Sequence, residues 1–265
     1  MSHLRTGAGA AVPAATWVLL RGLAREARHW GDFGNALAAQ LGPAHRVLVL
    51  DLPGNGVRHG ETSPATVAAI AATGRADLSR RGIGPPYVLV ALSLGAMVAL
   101  EWCEAAPQEL VGCVLLNTSL RGLSPFWQRL RPRNWLPLAA LLRPGMTAEQ
   151  REARVLQLTS TDPARHAPVA LRWAAIARQY PVTPRNALRQ LLAAARYRPP
   201  VRRPAVPLLV LASAGDGLVS PRCSQQLAAH WQVPLALHPG AGHDLPLDDP
   251  DWVLGQIGRW WNVPR

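Results

Sequence analysis

The chain has 265 residues, 49% of them hydrophobic, and sets 28 basic residues against 16 acidic ones for a formal net charge of +12. That length suits one well-buried core with an insertion better than two independent domains. No apolar stretch reaches the roughly 18 uncharged residues of a membrane helix, because Arg21, Arg46, Glu101 and similar charges interrupt each one.

Read in chain order, residues 7–20 have a superficial likeness to a secretory signal, but only His3 and Arg5 precede them, and 12–20 reads better as the approach to a first buried strand. Apolar strand-like runs at 16–20, 46–50, 87–91 and 111–116 then alternate with helical patterns at 29–41, 66–81 and 95–106. The alternation stops near residue 118 and resumes with 206–212, 221–231, 234–238 and 251–261. Short β-rich runs separated by helices predict an α/β fold, a mostly parallel sheet of about six strands with helices on both faces. Cys103, Cys113 and Cys223 are an odd count without C-x-x-C spacing, which predicts reduced, mostly buried thiols and a cytoplasmic protein.

Residues 119–204 break the pattern and read as proline-separated helices, so the expected division is a core of 1–118 and 205–265 with a helical cap inserted between them. Thr147 and Gln150 have capping-box spacing, and Trp173, Ile176, Ala177 and Tyr180 fall at i, i+3, i+4 and i+7. Thr183-Pro184 starts a helix expected to bury Leu188, Leu191, Leu192 and Ala195. Every basic residue in the chain is an arginine, and 16 of them lie in 119–204 against Glu149, Glu152 and Asp162, a net of +13. The remainder carries 12 Arg and 13 acids, a net of −1. Composition bias accounts for the arginines but should spread them evenly. The cluster is therefore either a solvated surface or a field for anionic substrates or an acidic partner. Few aromatics are interleaved with it beyond Trp127, Trp135, Trp173 and Tyr197, so no nucleic acid is expected.

The segment Ala91-Leu92-Ser93-Leu94-Gly95 joins the third strand to a helix. A sharp turn there lifts the Ser93 hydroxyl above the sheet and aims backbone N–H groups at it. A serine in that place is more often a plain helix N-cap, but a hydroxyl nucleophile needs a base and the base needs an acid, and both follow. Asp216 comes after the 206–212 strand and His243 after the 234–238 strand, and the carboxyl-end loops of an open α/β sheet converge on one crevice. Asp244, Asp248, Asp249 and Asp251 read as helix-start residues. Asn117 cannot replace a carboxylate beside an imidazolium. His59 and His238 share no metal-ligand spacing, so no metal and no cofactor are expected.

With these residues in place, the chain resembles the α/β-hydrolase superfamily over nearly its whole length. The matching landmarks are Leu20-Arg21-Gly22-Leu23, Asp51-Leu52-Pro53-Gly54-Asn55-Gly56, the Ser93 pentapeptide, Asp216-Gly217-Leu218-Val219 and Gly242-His243-Asp244. Within it the chain looks most similar to small carboxylesterases of the pimeloyl-carrier-protein methyl ester esterase type. The resemblance implies a Ser93–His243–Asp216 triad, an oxyanion hole from the backbone N–H groups of Leu23 and Leu94, and hydrolysis of a small-molecule acyl ester. Thioester or carrier-protein ester hydrolysis, perhydrolysis, C–C hydrolysis and a non-enzymatic binding module are the alternatives. A serine rather than a carboxylate sets the chain apart from dehalogenases and epoxide hydrolases of this fold. Two positions depart from the family pattern. Ala91 stands for the first elbow glycine and Arg21 for the usual histidine, and Arg21 admits two readings, a contact for an anionic substrate group or a structural ion pair.

Overall fold

In the computed structural model the described residues are 14–141, 143 and 145–263, so the part of the signal-like segment before residue 14 lies outside them. Six strands, β1 (Thr16–Leu20), β2 (Arg46–Leu50), β3 (Tyr87–Leu92), β4 (Leu110–Leu116), β5 (Leu208–Ser213) and β6 (Leu235–His238), form one sheet in the order β2-β1-β3-β4-β5-β6. Every neighbouring pair is parallel. The six strands expected from the apolar runs are all present, with ends moved by at most two residues.

The strands are apolar at nearly every position because both faces are covered. Along β1, Val18 and Leu20 pack with α2 (Val67–Arg80), α3 (Leu94–Ala105) and α9 (Pro221–Trp231) on one side. Trp17 and Leu19 pack on the other side with α1 (Phe33–Leu41) and α11 (Pro250–Trp261). Helix α3 is the most deeply placed, and its sequence is apolar almost all round, as a helix between a sheet and other helices must be. The helical pattern over 29–41 is broken in two: a short 3-10 turn at Ala27–Trp30 ends at Gly31, whose φ is +54, before α1 begins.

Between β4 and β5 the chain forms α4 (Phe126–Arg129), α5 (Trp135–Ala140), α6 (Ala148–Thr159), α7 (Pro163–Gln179) and α8 (Pro184–Arg196); the short α10 (Leu245–Asp248) precedes α11. Helix α6 opens with the Thr147–Gln150 capping box and packs on α7 through Leu156, Val169, Ala170 and Trp173. Helix α8 differs from its sequence pattern. Its buried positions are Asn186, Gln190 and Ala193, while Leu188 and Leu191 are 55% and 45% exposed. The helix is turned so that two amides rather than the leucine stripe meet the core, because those amides find hydrogen-bond partners there. No helix among the described residues is long and apolar enough to cross a membrane. All three cysteines are buried and unpaired.

Candidate active site

The chain runs β1 to β2 on one side of β1 and then returns to β3 on the other, so the loops after β1 and β3 part at a switch point, where an open sheet leaves a crevice. Ser93 is in the turn from β3 to α3, at φ +57 and ψ −115. For a serine this backbone is strained by about 1–3 kcal/mol and persists only where the surroundings enforce it. Here the Ser93 N–H donates to the Leu116 carbonyl (2.9 Å), and the Ser93 carbonyl accepts from Ala96 N–H and from Thr118 Oγ1 (3.0 and 3.1 Å). The side chain makes no capping bond to α3, which removes the plain N-cap reading. Ser93 is half-buried while its neighbours in the turn are buried, so it is the one residue there open to the crevice.

Gly95 explains how tightly this turn is built. A Cβ there would lie 2.5 Å from the Leu20 carbonyl oxygen and 2.7 Å from that of Arg21, so α3 passes β1 only because residue 95 has no side chain. Ala91, in place of the first elbow glycine, is buried in the sheet opposite Leu20 without crowding the turn. The loop after β1 closes on the other side: a Cβ on Gly22 would sit 3.3 Å from Ser93 Cβ. The N–H groups of Leu23 and Leu94 are taken up by no hydrogen bond among the described residues, and Leu94 opens α3, where helix-terminal amides carry partial positive charge.

Asp216 and His243 are brought together. His243 Nδ1 is 2.7 Å from Asp216 Oδ2, and both residues are buried. The other Asp216 oxygen accepts from the N–H groups of Leu218 and Val219 (2.8 and 2.9 Å), which fixes the carboxylate plane. Burial works against a charged His243. The charge and hydrogen bond of Asp216, with the charge of Asp244, outweigh burial and the repulsion of Arg21, and hold the imidazole above its ordinary value. Ser93 and His243 are not hydrogen-bonded to each other. They are tied through one segment: Leu116 and Thr118 hold the Ser93 backbone, and Asn117 between them donates to the carbonyls of Gly242 and His243 (3.1 and 2.9 Å).

Three further residues hold the site: Arg21, for which an ion pair was one of the two expectations, and Asp244 and Asp248, expected only at helix starts. Arg21 forms a bidentate pair with Asp244 (3.0 and 2.5 Å), and at 3% exposure its terminal nitrogens are committed to that carboxylate rather than offered to a ligand. Asp244 stands at the N-cap of α10, as its place in the sequence suggests, but its side chain makes no cap bond and instead fastens the loop after β6 to the loop after β1. Asp248, also expected at a helix start, accepts from Gly242 N–H (2.7 Å), Thr161 N–H and Ser160 Oγ, and so secures the His243 loop to the end of α6. Asp249 does cap α11, through Trp252 N–H. His59 bonds its own turn and His238 pairs with Asp249. Among the described residues no group of three or more His, Cys, Asp or Glu side chains is arranged to hold a metal ion.

The model of the Alpha/beta hydrolase family matches residues 17–256, a span that includes the site loops just described and all of the sheet but Thr16. The chain belongs to that family. This α/β hydrolase matches no curated protein. Its fold recurs in a hydrolase from Pseudomonas aeruginosa PA01 (24% identity, 97% of this chain and 92% of that one, TM-score 0.73). It recurs also in a thermophilic esterase from Thermogutta terrifontis (23% identity, 94% and 90% covered, TM-score 0.70). The esterase RhEst1 from Rhodococcus sp. ECU1013 shares it too (18% identity, 95% and 92% covered, TM-score 0.72). At these identities the likeness is one of fold.

Proposed function

We propose that this α/β hydrolase is a serine esterase that cleaves a small acyl ester through an acyl-enzyme intermediate, with Ser93 as nucleophile, His243 as base and Asp216 as the acid that orients it. The observation that carries the reading is the buried 2.7 Å contact between His243 Nδ1 and Asp216, in the crevice where Ser93 is held at positive φ beside two unclaimed amides. Asp216 on Nδ1 leaves Nε2 of a neutral imidazole as the proton acceptor. Ser93 Oγ attacks the acyl carbon as its proton passes to Nε2, and the carbonyl oxygen becomes an oxyanion. The N–H groups of Leu23 and Leu94 stabilise that charge, and a donor in such a place is worth about 2.7–4 kcal/mol in the transition state. Collapse expels the alcohol, which takes the proton from His243. Water, deprotonated by the same imidazole, then releases the acid and restores Ser93.

Esterases among the structural relatives support ester over other acyl substrates. The resemblance to carrier-protein methyl ester esterases adds a second reading, in which the arginine-rich 119–204 segment docks an acidic acyl carrier protein. Part of that charge has structural work, since Arg129 donates to the carbonyls of Ala194 and Ala195, Arg151 to Leu141 and Arg189 to Ser63. Turnover of a carrier-bound ester against the free methyl ester, at low and high salt, separates the two.

The primary test is a panel of p-nitrophenyl esters on the wild type and Ser93→Ala, with fluorophosphonate labelling. Hydrolysis and labelling should both vanish in Ser93→Ala, with kcat down about a million-fold. A folded wild type that neither turns over esters nor labels at Ser93 rejects the proposal.

A further inference from the structure

Helix α8 buries Asn186 and Gln190 and leaves Leu188 and Leu191 outside. Taking an amide out of water without partners is unfavourable, so this orientation has to be offset by the bonds those amides make. Asn186 holds the loop after β2, accepting from Ser63 N–H and donating to the Glu61 carbonyl (both 2.9 Å). Gln190 reaches further, to the loop that carries Leu23. Its Oε1 accepts from Ala24 N–H (2.8 Å) and its Nε2 donates to Asn55 Oδ1 (2.8 Å), while Asn55 Nδ2 donates to the Arg25 carbonyl (2.9 Å). Gln190 and Asn55 are both fully buried, and the circuit closes on the two residues that follow Leu23.

Those two residues are where the loop needs holding. Ala24 has φ +55, a left-handed backbone that a non-glycine residue keeps only when its surroundings impose it. From residue 26 onward the core does this itself, since Glu26 N–H donates to His29 and Ala27 N–H to Asp51. The Gln190 bond is the only hydrogen bond among the described residues that reaches the Leu23–Ala24 peptide. The Leu23 N–H lies on the preceding Gly22–Leu23 peptide, whose carbonyl accepts from Arg25 N–H (3.3 Å), so the turn bond holds the peptide before Leu23 and the Gln190 bond the peptide after it.

We propose that Gln190 is a positioning residue for catalysis: by fixing the Leu23–Ala24 peptide from helix α8, it orients the Leu23 N–H toward the oxyanion, so that the helices between β4 and β5 complete a site built on the sheet. This rests on the reading of Leu23 as an oxyanion donor. Gln190 touches no reacting atom and acts only through Ala24 and Asn55.

The test uses the full chain with Gln190→Leu and Gln190→Glu, a short p-nitrophenyl ester, and a trifluoromethyl ketone that adds to Ser93 to give a tetrahedral oxyanion. Gln190→Leu is expected to lower kcat about 100-fold with KM nearly unchanged, the signature of an interaction made in the transition state alone. Affinity for the trifluoromethyl ketone should fall by the same factor, and affinity for the acid product should not. In Gln190→Glu the introduced carboxyl, while neutral, accepts from Ala24 and donates to Asn55. Its kcat should therefore stay near wild type at low pH and fall as that carboxyl ionises, adding an ionisation absent from the wild-type profile. If Gln190→Leu does not fold, this extra ionisation decides. An active wild type with Gln190→Leu equally active per folded molecule, or a kcat loss with ketone affinity intact, overturns this inference alone. A Gln190→Glu profile identical to wild type also overturns it. A wild type inert to ester and fluorophosphonate overturns the serine-esterase reading from which it starts.

Discussion

The sheet with its flanking helices and the helices between β4 and β5 solve the burial problem in opposite ways. In the sheet, Trp17, Leu19, Val90 and their neighbours go inside and almost nothing polar does. In α8 the amides go inside, and among the described residues eight of the eleven large hydrophobic side chains that stand exposed belong to residues 119–204, Phe126, Trp135, Leu136 and Leu188 among them. The first region is held by area removed from water, at about 25 cal/mol per Å², which tolerates any apolar residue of the right size. The second is held by directed bonds to named atoms of the site loops, and each bond is lost when its partner changes. A core that is non-specific thus supports an outer layer that is specific.

The contrast is broken most sharply at the meeting point of the two regions. Asp216→Asn keeps the shape of the acid but not its charge, and kcat should fall about ten-thousand-fold through the wrong imidazole tautomer. The pH profile gives the sign of the electrostatics. Because His243 must be neutral to accept a proton and its folded value lies above 6.5, the acid limb of wild-type activity should stand above pH 6.5. Asp216 is the chief group holding that value up, so any residual activity of Asp216→Asn should have its limb at lower pH. The same raised value stabilises the fold below the unfolded pKa, a contribution lost as pH rises through the folded one.

Next in size is the buried pair behind the site. Asp244→Leu strands the Arg21 guanidinium at 3% exposure and should cost about 3–5 kcal/mol, whereas replacing both with apolar residues, Arg21→Met with Asp244→Leu, should recover most of it. Melting temperatures of the two variants measure the difference. If the single and double changes are equally costly, the pair acts by packing and not by charge.

The smallest effects test the inversion of α8 itself. Asn186→Leu leaves Ser63 N–H and the Glu61 carbonyl without partners and should lose about 1–3 kcal/mol, each orphaned group costing its desolvation. Leu188→Ser, the more drastic change by apolar pattern, should change stability by about 0.5 kcal/mol or less because the side chain is already outside. Denaturant midpoints that reverse this order would return the leucine stripe to the core.

Much of this was legible in the chain because it depends on local periodicity. The six strands followed from runs such as 87–91, whose apolar residues leave a parallel strand no other place to go. The candidate residues Ser93, Asp216 and His243 stood out because each follows such a run. The face of α8 was misread for the same reason: periodicity identifies an apolar stripe but cannot register that the opposite stripe has partners. Asp244 was likewise assigned to its neighbours in sequence, when its partner is Arg21, 223 residues away.

What the sequence alone determined, then, is the set of elements, their parallel arrangement and the candidate residues Ser93, Asp216 and His243, since these follow from side-chain period and chemical type. Tertiary structure decided how those residues are held: Asn117 on the His243 loop, Asp244 on Arg21 and Gln190 on Ala24. The physical reason is that a buried hydrogen bond is specified by two groups meeting in space. Their separation along the chain, 126, 223 and 166 residues in these cases, leaves no local trace of the meeting.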